Sequence, residues 1–101
     1  MAYTPRWKNE MTDQLFKAIL ALENLDECYR FFDDIATINE IKELSQRLEV
    51  ARMLNEGFIY EDIVQKTGAS SATISRVKKC LNYGADGYQI ILKKLKQKNK
   101  K

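Results

Sequence analysis

The chain has 101 residues, with 17 Lys and Arg against 14 Asp and Glu, two cysteines, one proline and no histidine. That length predicts a single domain with a modest core, and 45% hydrophobic with 31% charged residues predicts a folded chain. Lack of histidine excludes His-dependent triads and His metal ligands, and Cys28 and Cys80 lie too far apart for a zinc framework, so no cofactor is expected.

The net charge of +3 averages over unlike blocks. Residues 9–62 carry thirteen acids and five bases, a balance of −8. Residues 63–85 carry Lys66, Arg76, Lys78 and Lys79 and no acid, and residues 93–101 add six lysines. An acidic body with a basic element and a basic tail predicts a polyanionic partner that touches one face. No apolar run exceeds Ala18 to Leu22, too short to span a membrane. The opening Met-Ala-Tyr-Thr-Pro-Arg-Trp-Lys has no apolar signal segment, so a reducing cytosol is the expected compartment.

Helix follows helix along the chain. Leu15, Ile19 and Leu22 recur at i, i+4 and i+7, and Phe16 and Leu20 widen that face. Asn24 is placed to cap a second segment, Leu25 to Ala36, which carries Leu25, Cys28, Tyr29, Phe31, Phe32 and Ile35. Both segments are apolar over more than one stripe. Thr37-Ile-Asn-Glu40 reads as a capping box opening a third helix, with Ile38, Ile41, Leu44, Leu48 and Ala51 on one stripe and Gly57 at its end. No strand alternation of useful length occurs. The fold class is all-α.

From Phe58 to Gly84 the pattern is helix, glycine, turn, helix. A short helix with Ile63 and Val64 inward stops at Gly68, and Ser70 or Ser71 caps a second helix with Ala72, Ile74, Val77 and Leu81 inward. The face opposite the anchors presents Ser71, Ala72, Ser75, Lys78 and Lys79. Small residues let a helix backbone approach base edges while lysines neutralise phosphates, so double-stranded DNA is the expected partner. Asp86 is placed to cap a last helix with Tyr88, Ile91, Leu92 and Leu95 inward. The two cysteines read as small buried hydrophobes.

Ala72-Thr-Ile-Ser-Arg76, Leu81-Asn-Tyr-Gly-Ala-Asp-Gly87 and, upstream, Thr37, Leu44 and Arg47 resemble the Trp repressor family. The resemblance is to its YerC/YecD-type branch in particular, where Cys-Leu-Asn-Tyr-Gly-Ala-Asp-Gly-Tyr is a recurrent string, and it covers nearly the whole chain. It implies a six-helix fold with a helix-turn-helix, an intertwined homodimer and two heads reading successive major grooves. In that scheme residues 1–101 form one DNA-binding domain. Residues 10–57 are dimerisation helices, 58–84 the helix-turn-helix, and 86–101 a last helix with its lysine tail. Apolar faces too wide for one short chain to cover agree with such a dimer.

The resemblance also implies site residues. Ser71, Ala72 and Ser75 match base-facing positions; Lys66, Thr73, Lys78 and Lys79 are candidates for phosphate. Glu61 and Val64 stand where the family's first head helix has basic residues. Arg47 and Arg76 match the arginines that sandwich tryptophan in Trp repressors, and Thr37 matches the assisting threonine. Val77 replaces a glycine beside the indole and Cys80 replaces a serine, so tryptophan is not the expected effector. Arg47 has a local acid, Glu43, as an alternative partner. The function implied is a sequence-specific DNA-binding regulator, a repressor by type and not an enzyme. A helical module docking an acidic protein surface is the competing expectation.

Overall fold

A computed structural model of the chain describes residues 3–98, so Lys100 and Lys101 of the expected tail lie outside the described residues. Among the described residues there are six α-helices and no strand: α1 Glu10–Leu20, α2 Leu25–Ile35, α3 Ile38–Asn55, α4 Tyr60–Thr67, α5 Ser71–Tyr83 and α6 Gly87–Lys98. The chain divides into two units, Met1–Ile38 and Asn39–Lys101.

In the first unit the helix starts are firmly specified. The Asn9 side chain accepts from the Thr12 amide at 2.9 Å, and the Thr12 hydroxyl accepts from the Asn9 amide at 2.9 Å, a reciprocal cap on α1. Asn24 caps α2 as expected, accepting from the Glu27 amide at 2.9 Å, while the Glu27 carboxylate accepts from the Glu23 amide. Burial is absent: neither helix contains a buried residue. Met11, Leu20, Leu25 and Tyr29 are each more than 70% exposed. Each large apolar side chain left in water forgoes about 1.5–3 kcal/mol of burial.

The second unit holds the core. Val50, Ala51 and Met53 of α3 meet Ile63 of α4, Ala69 of the turn, Ile74, Val77 and Leu81 of α5, and Leu92 of α6, with Leu54 and Tyr88 packed at the margin. Helix α3 closes on Gly57, whose amide donates to the Leu54 carbonyl while the Phe58 amide donates to Met53, a Schellman arrangement. Its expected stripe splits in two. Ala51 is fully buried, but Ile38, Leu44 and Leu48 are exposed, so only the C-terminal half of the helix faces the core of its own chain.

Several inward assignments need correcting. Ile63 is fully buried, yet Val64 is exposed, because in an eight-residue helix one narrow stripe suffices and the next residue lies 100° round the axis. Ala72 is exposed and belongs to the outer face of α5 alone. Leu92 is buried, whereas Ile91 and Leu95 are each about two-fifths exposed. Asp86 takes a left-handed conformation, φ +68°, and its carbonyl receives the first helical bond, from Ile90, so it is not an extended side-chain cap. Cys80 is exposed and Cys28 half-buried, not interior hydrophobes of the single chain.

Candidate nucleic-acid interface

The head is built around a turn that only certain residues can make. Gly68 ends α4 at φ +72°, a region costly for any residue with a Cβ, and its amide donates to the Val64 carbonyl at 2.8 Å. Ser70 then caps α5, its hydroxyl oxygen accepting from the Thr73 amide at 3.1 Å. At the far end, a Cβ on Gly84 would collide with the Cys80 carbonyl, so glycine alone fits where α5 stops. Ile74, Val77 and Leu81 bury one side of α5 and thereby fix which side faces out.

The outward side carries Ser71, Ala72, Ser75, Lys78 and Lys79, all exposed. Neither α5 nor the turn before it contains an acid. Thr73 is only half-exposed, and its hydroxyl oxygen accepts from the Ser70 hydroxyl at 3.1 Å, so it belongs to the helix cap as much as to the surface. Lys66 lies elsewhere, on an open groove lined by Arg52, Met53, Phe58, Asp62 and Gln65. One acid, Asp62, and one further base, Arg52, line that groove, and the charge of Lys66 is felt by Glu49 of α3. The hydrogen bond from Arg52 is the main cause that holds the Glu49 carboxyl below its ordinary range; burial opposes it, and the charges of Arg52 and Lys66 add to it.

Helix α4 contributes a residue that the sequence pattern does not single out. Lys78 Nζ sits 5.7 Å from the ring centroid of Tyr60, so the first residue of α4 holds a lysine of α5 by a cation–π contact. The two are eighteen positions apart, and no periodicity links them. Glu61, beside Tyr60, is exposed and acidic, as the sequence anticipates.

The four possible effector-site residues of the second unit have unequal surroundings. Val77 is 2% exposed and is a core anchor of the head. Arg76 and Cys80 are exposed and Arg47 is half-buried; among the described residues Arg47 forms no ion pair with Glu43. Tyr88 of α6 reaches the same region. Its phenol is pushed up chiefly by burial and next by the Cys80 thiol, while the positive charges of Arg47 and Arg76 pull it down. Thr37 belongs to the first unit.

Two glutamines, also unmarked by any sequence pattern, tie the head together. The Gln46 side-chain amide donates to the Thr67 carbonyl at 3.0 Å, and that of Gln89 to the Leu81 carbonyl at 3.3 Å.

Comparison with known proteins gives consistent matches. The family model described as Trp repressor protein matches residues 10–96. The uncharacterised protein YerC of Bacillus subtilis is 65% identical over 85 residues, which cover 84% of this chain and 82% of YerC. A solved structure of a candidate Trp repressor from Staphylococcus aureus aligns with TM-score 0.85 at 54% identity, covering 88% of this chain and 89% of the other. A TrpR-like protein from Eubacterium eligens aligns with TM-score 0.85 at 59% identity, over 87% of this chain and 91% of its own.

Proposed function

Because this chain belongs to the Trp repressor family, we propose that it is a DNA-binding transcriptional regulator, a repressor by type, that acts as a homodimer on double-stranded DNA. The observation that carries the reading is the outward side of α5, which is small at its start, basic further on and free of acid. Ser71, Ala72 and Ser75 are placed at the N-terminal end, where a recognition helix meets base edges in the major groove. Lys78 and Lys79, one to two turns on, reach phosphates, and Thr73 lies between the two groups. Lys66 is the weakest of the phosphate candidates, since Asp62 lines the same groove and Glu49 of α3 is near enough to feel its charge.

Dimerisation rests on a second observation. One recognition helix covers too few base pairs to discriminate a site, and two heads joined by a rigid body solve that. The exposed apolar side chains of α1, of α2 and of the first half of α3 offer the surface for a second copy of the chain.

Tryptophan is not the effector in this reading. Val77, at the position where the resemblance puts a glycine beside the indole, carries a buried isopropyl group, and Tyr88 lies near enough to Arg47 and Arg76 to feel their charges. The test is selection of bound duplexes from a random pool, run with and without L-tryptophan. A palindromic consensus, unchanged by tryptophan, is the expected result. Absence of any consensus, with binding that tracks only charge, would defeat the DNA reading; enrichment only in the presence of tryptophan would defeat the effector reading.

A further inference from the structure

Resting on the DNA-binding reading above, we propose that Gln46 is a positioning residue that sets the angle of α5 against α3, and so the half-site spacing that the dimer accepts. Thr67 is the last residue of α4, and the last carbonyls of a helix have no partner within it. The Thr67 carbonyl takes its hydrogen bond from Gln46, 21 residues earlier in the chain and on a different helix. Thr67 is itself held firmly: its hydroxyl donates to the Ile63 carbonyl at 2.7 Å and its oxygen accepts from the Ala69 amide at 3.1 Å. Ala69 is buried, and Ser70 next to it caps α5. These bonds therefore tie α3 to the turn at Thr67 and Ala69, one peptide link before the Ser70 cap of the recognition helix.

The apolar contacts of the head cannot set that angle alone. Burial of Ile63, Ile74 and Val77 drives the helices together but is non-directional, and it tolerates small rotations about the contact. A part-buried amide bond is lost when the geometry shifts, because the released carbonyl is then shielded from water. Gln89 restrains the other end of α5 through the Leu81 carbonyl, so rotation is opposed at both ends. In a dimer the heads must match grooves one helical turn apart, so a change of head angle appears as a change in preferred spacing.

The experiment compares the wild-type chain with Gln46→Met, which keeps length and volume but lacks the donor, and with Gln46→Ala. The probes are duplexes carrying the palindrome that the wild type selects, with the spacer lengthened or shortened by one or two base pairs, and one scrambled duplex. For Gln46→Met, affinity at the preferred spacing should fall about fivefold. Affinity for the scrambled duplex, helix content and dimer mass should stay unchanged, and the profile of affinity against spacing should flatten. A variant that keeps the steep wild-type profile, or that loses affinity equally on every duplex, would overturn the assignment. A wild type that prefers no palindrome over the scrambled duplex sinks the DNA reading itself, and this shows before any variant is compared.

Discussion

Leu44→Asp should convert the protein to a monomer and lower its affinity for a palindromic site by a factor on the order of 10² to 10⁴. Leu44 lies on the first half of α3 and is 53% exposed within its own chain, so the change removes little from the head core around Ile63 and Ile74. A carboxylate buried in an apolar interface, by contrast, has no counter-charge and cannot be accommodated cheaply. The large factor arises because the second head would no longer bind at the high effective concentration that a linked partner provides. Sedimentation equilibrium gives the mass, and anisotropy with a labelled duplex gives the affinity. A variant that stays dimeric would show that the apolar stripe of α3 is not the interface.

The paired change Lys78→Ala with Lys79→Ala should weaken binding to selected and scrambled duplexes alike. Each phosphate contact releases condensed counterions, so losing two per head lowers the slope of log affinity against log salt by about 1.8 units per head. At moderate salt the loss should reach about tenfold. Both lysines are exposed, and the one contact given up is that of Lys78 with the Tyr60 ring, worth about 0.5–1 kcal/mol at an exposed site, so the melting temperature should fall by only a few degrees. Ser75→Ala is the natural contrast: it should leave the slope alone and relax preference at one or two base pairs. Titrations of all three chains over a range of salt concentrations separate these outcomes. An unchanged salt slope in the double variant would mean that the outward side of α5 does not face the phosphates.

Local chemistry is legible in the sequence. Asn24, Gly68, Ser70 and Gly84 all do at the helix ends what their residue types suggest, because a cap depends only on a few neighbours in sequence. Ile74, Val77 and Leu81 were legible for a similar reason, since α5 is long enough for its periodicity to define a side. The width of a buried stripe was not legible. Val64, Ile91 and Leu95 lie next to true core positions, and only the neighbouring helices decide where burial stops. Asp86 shows a second limit, because an aspartate before a helix fits both an extended cap and the left-handed turn that it adopts. The links Gln46–Thr67 and Tyr60–Lys78 join separate helices, and no one-dimensional period encodes them.

Among the described residues, every buried side chain lies between Val50 and Leu92, while α1 and α2 contain no buried residue and leave Met11, Phe16, Leu20, Leu25, Tyr29 and Ile35 exposed. In the proposed homodimer, pairing and DNA reading are thus separable in inheritance. A copy whose lysines at 78 and 79 are lost still has an intact surface for pairing, so in a cell that also makes the normal chain it would sequester good subunits in one-headed pairs. Damage to the reading side of α5 should therefore be genetically dominant, and damage to the pairing surface recessive.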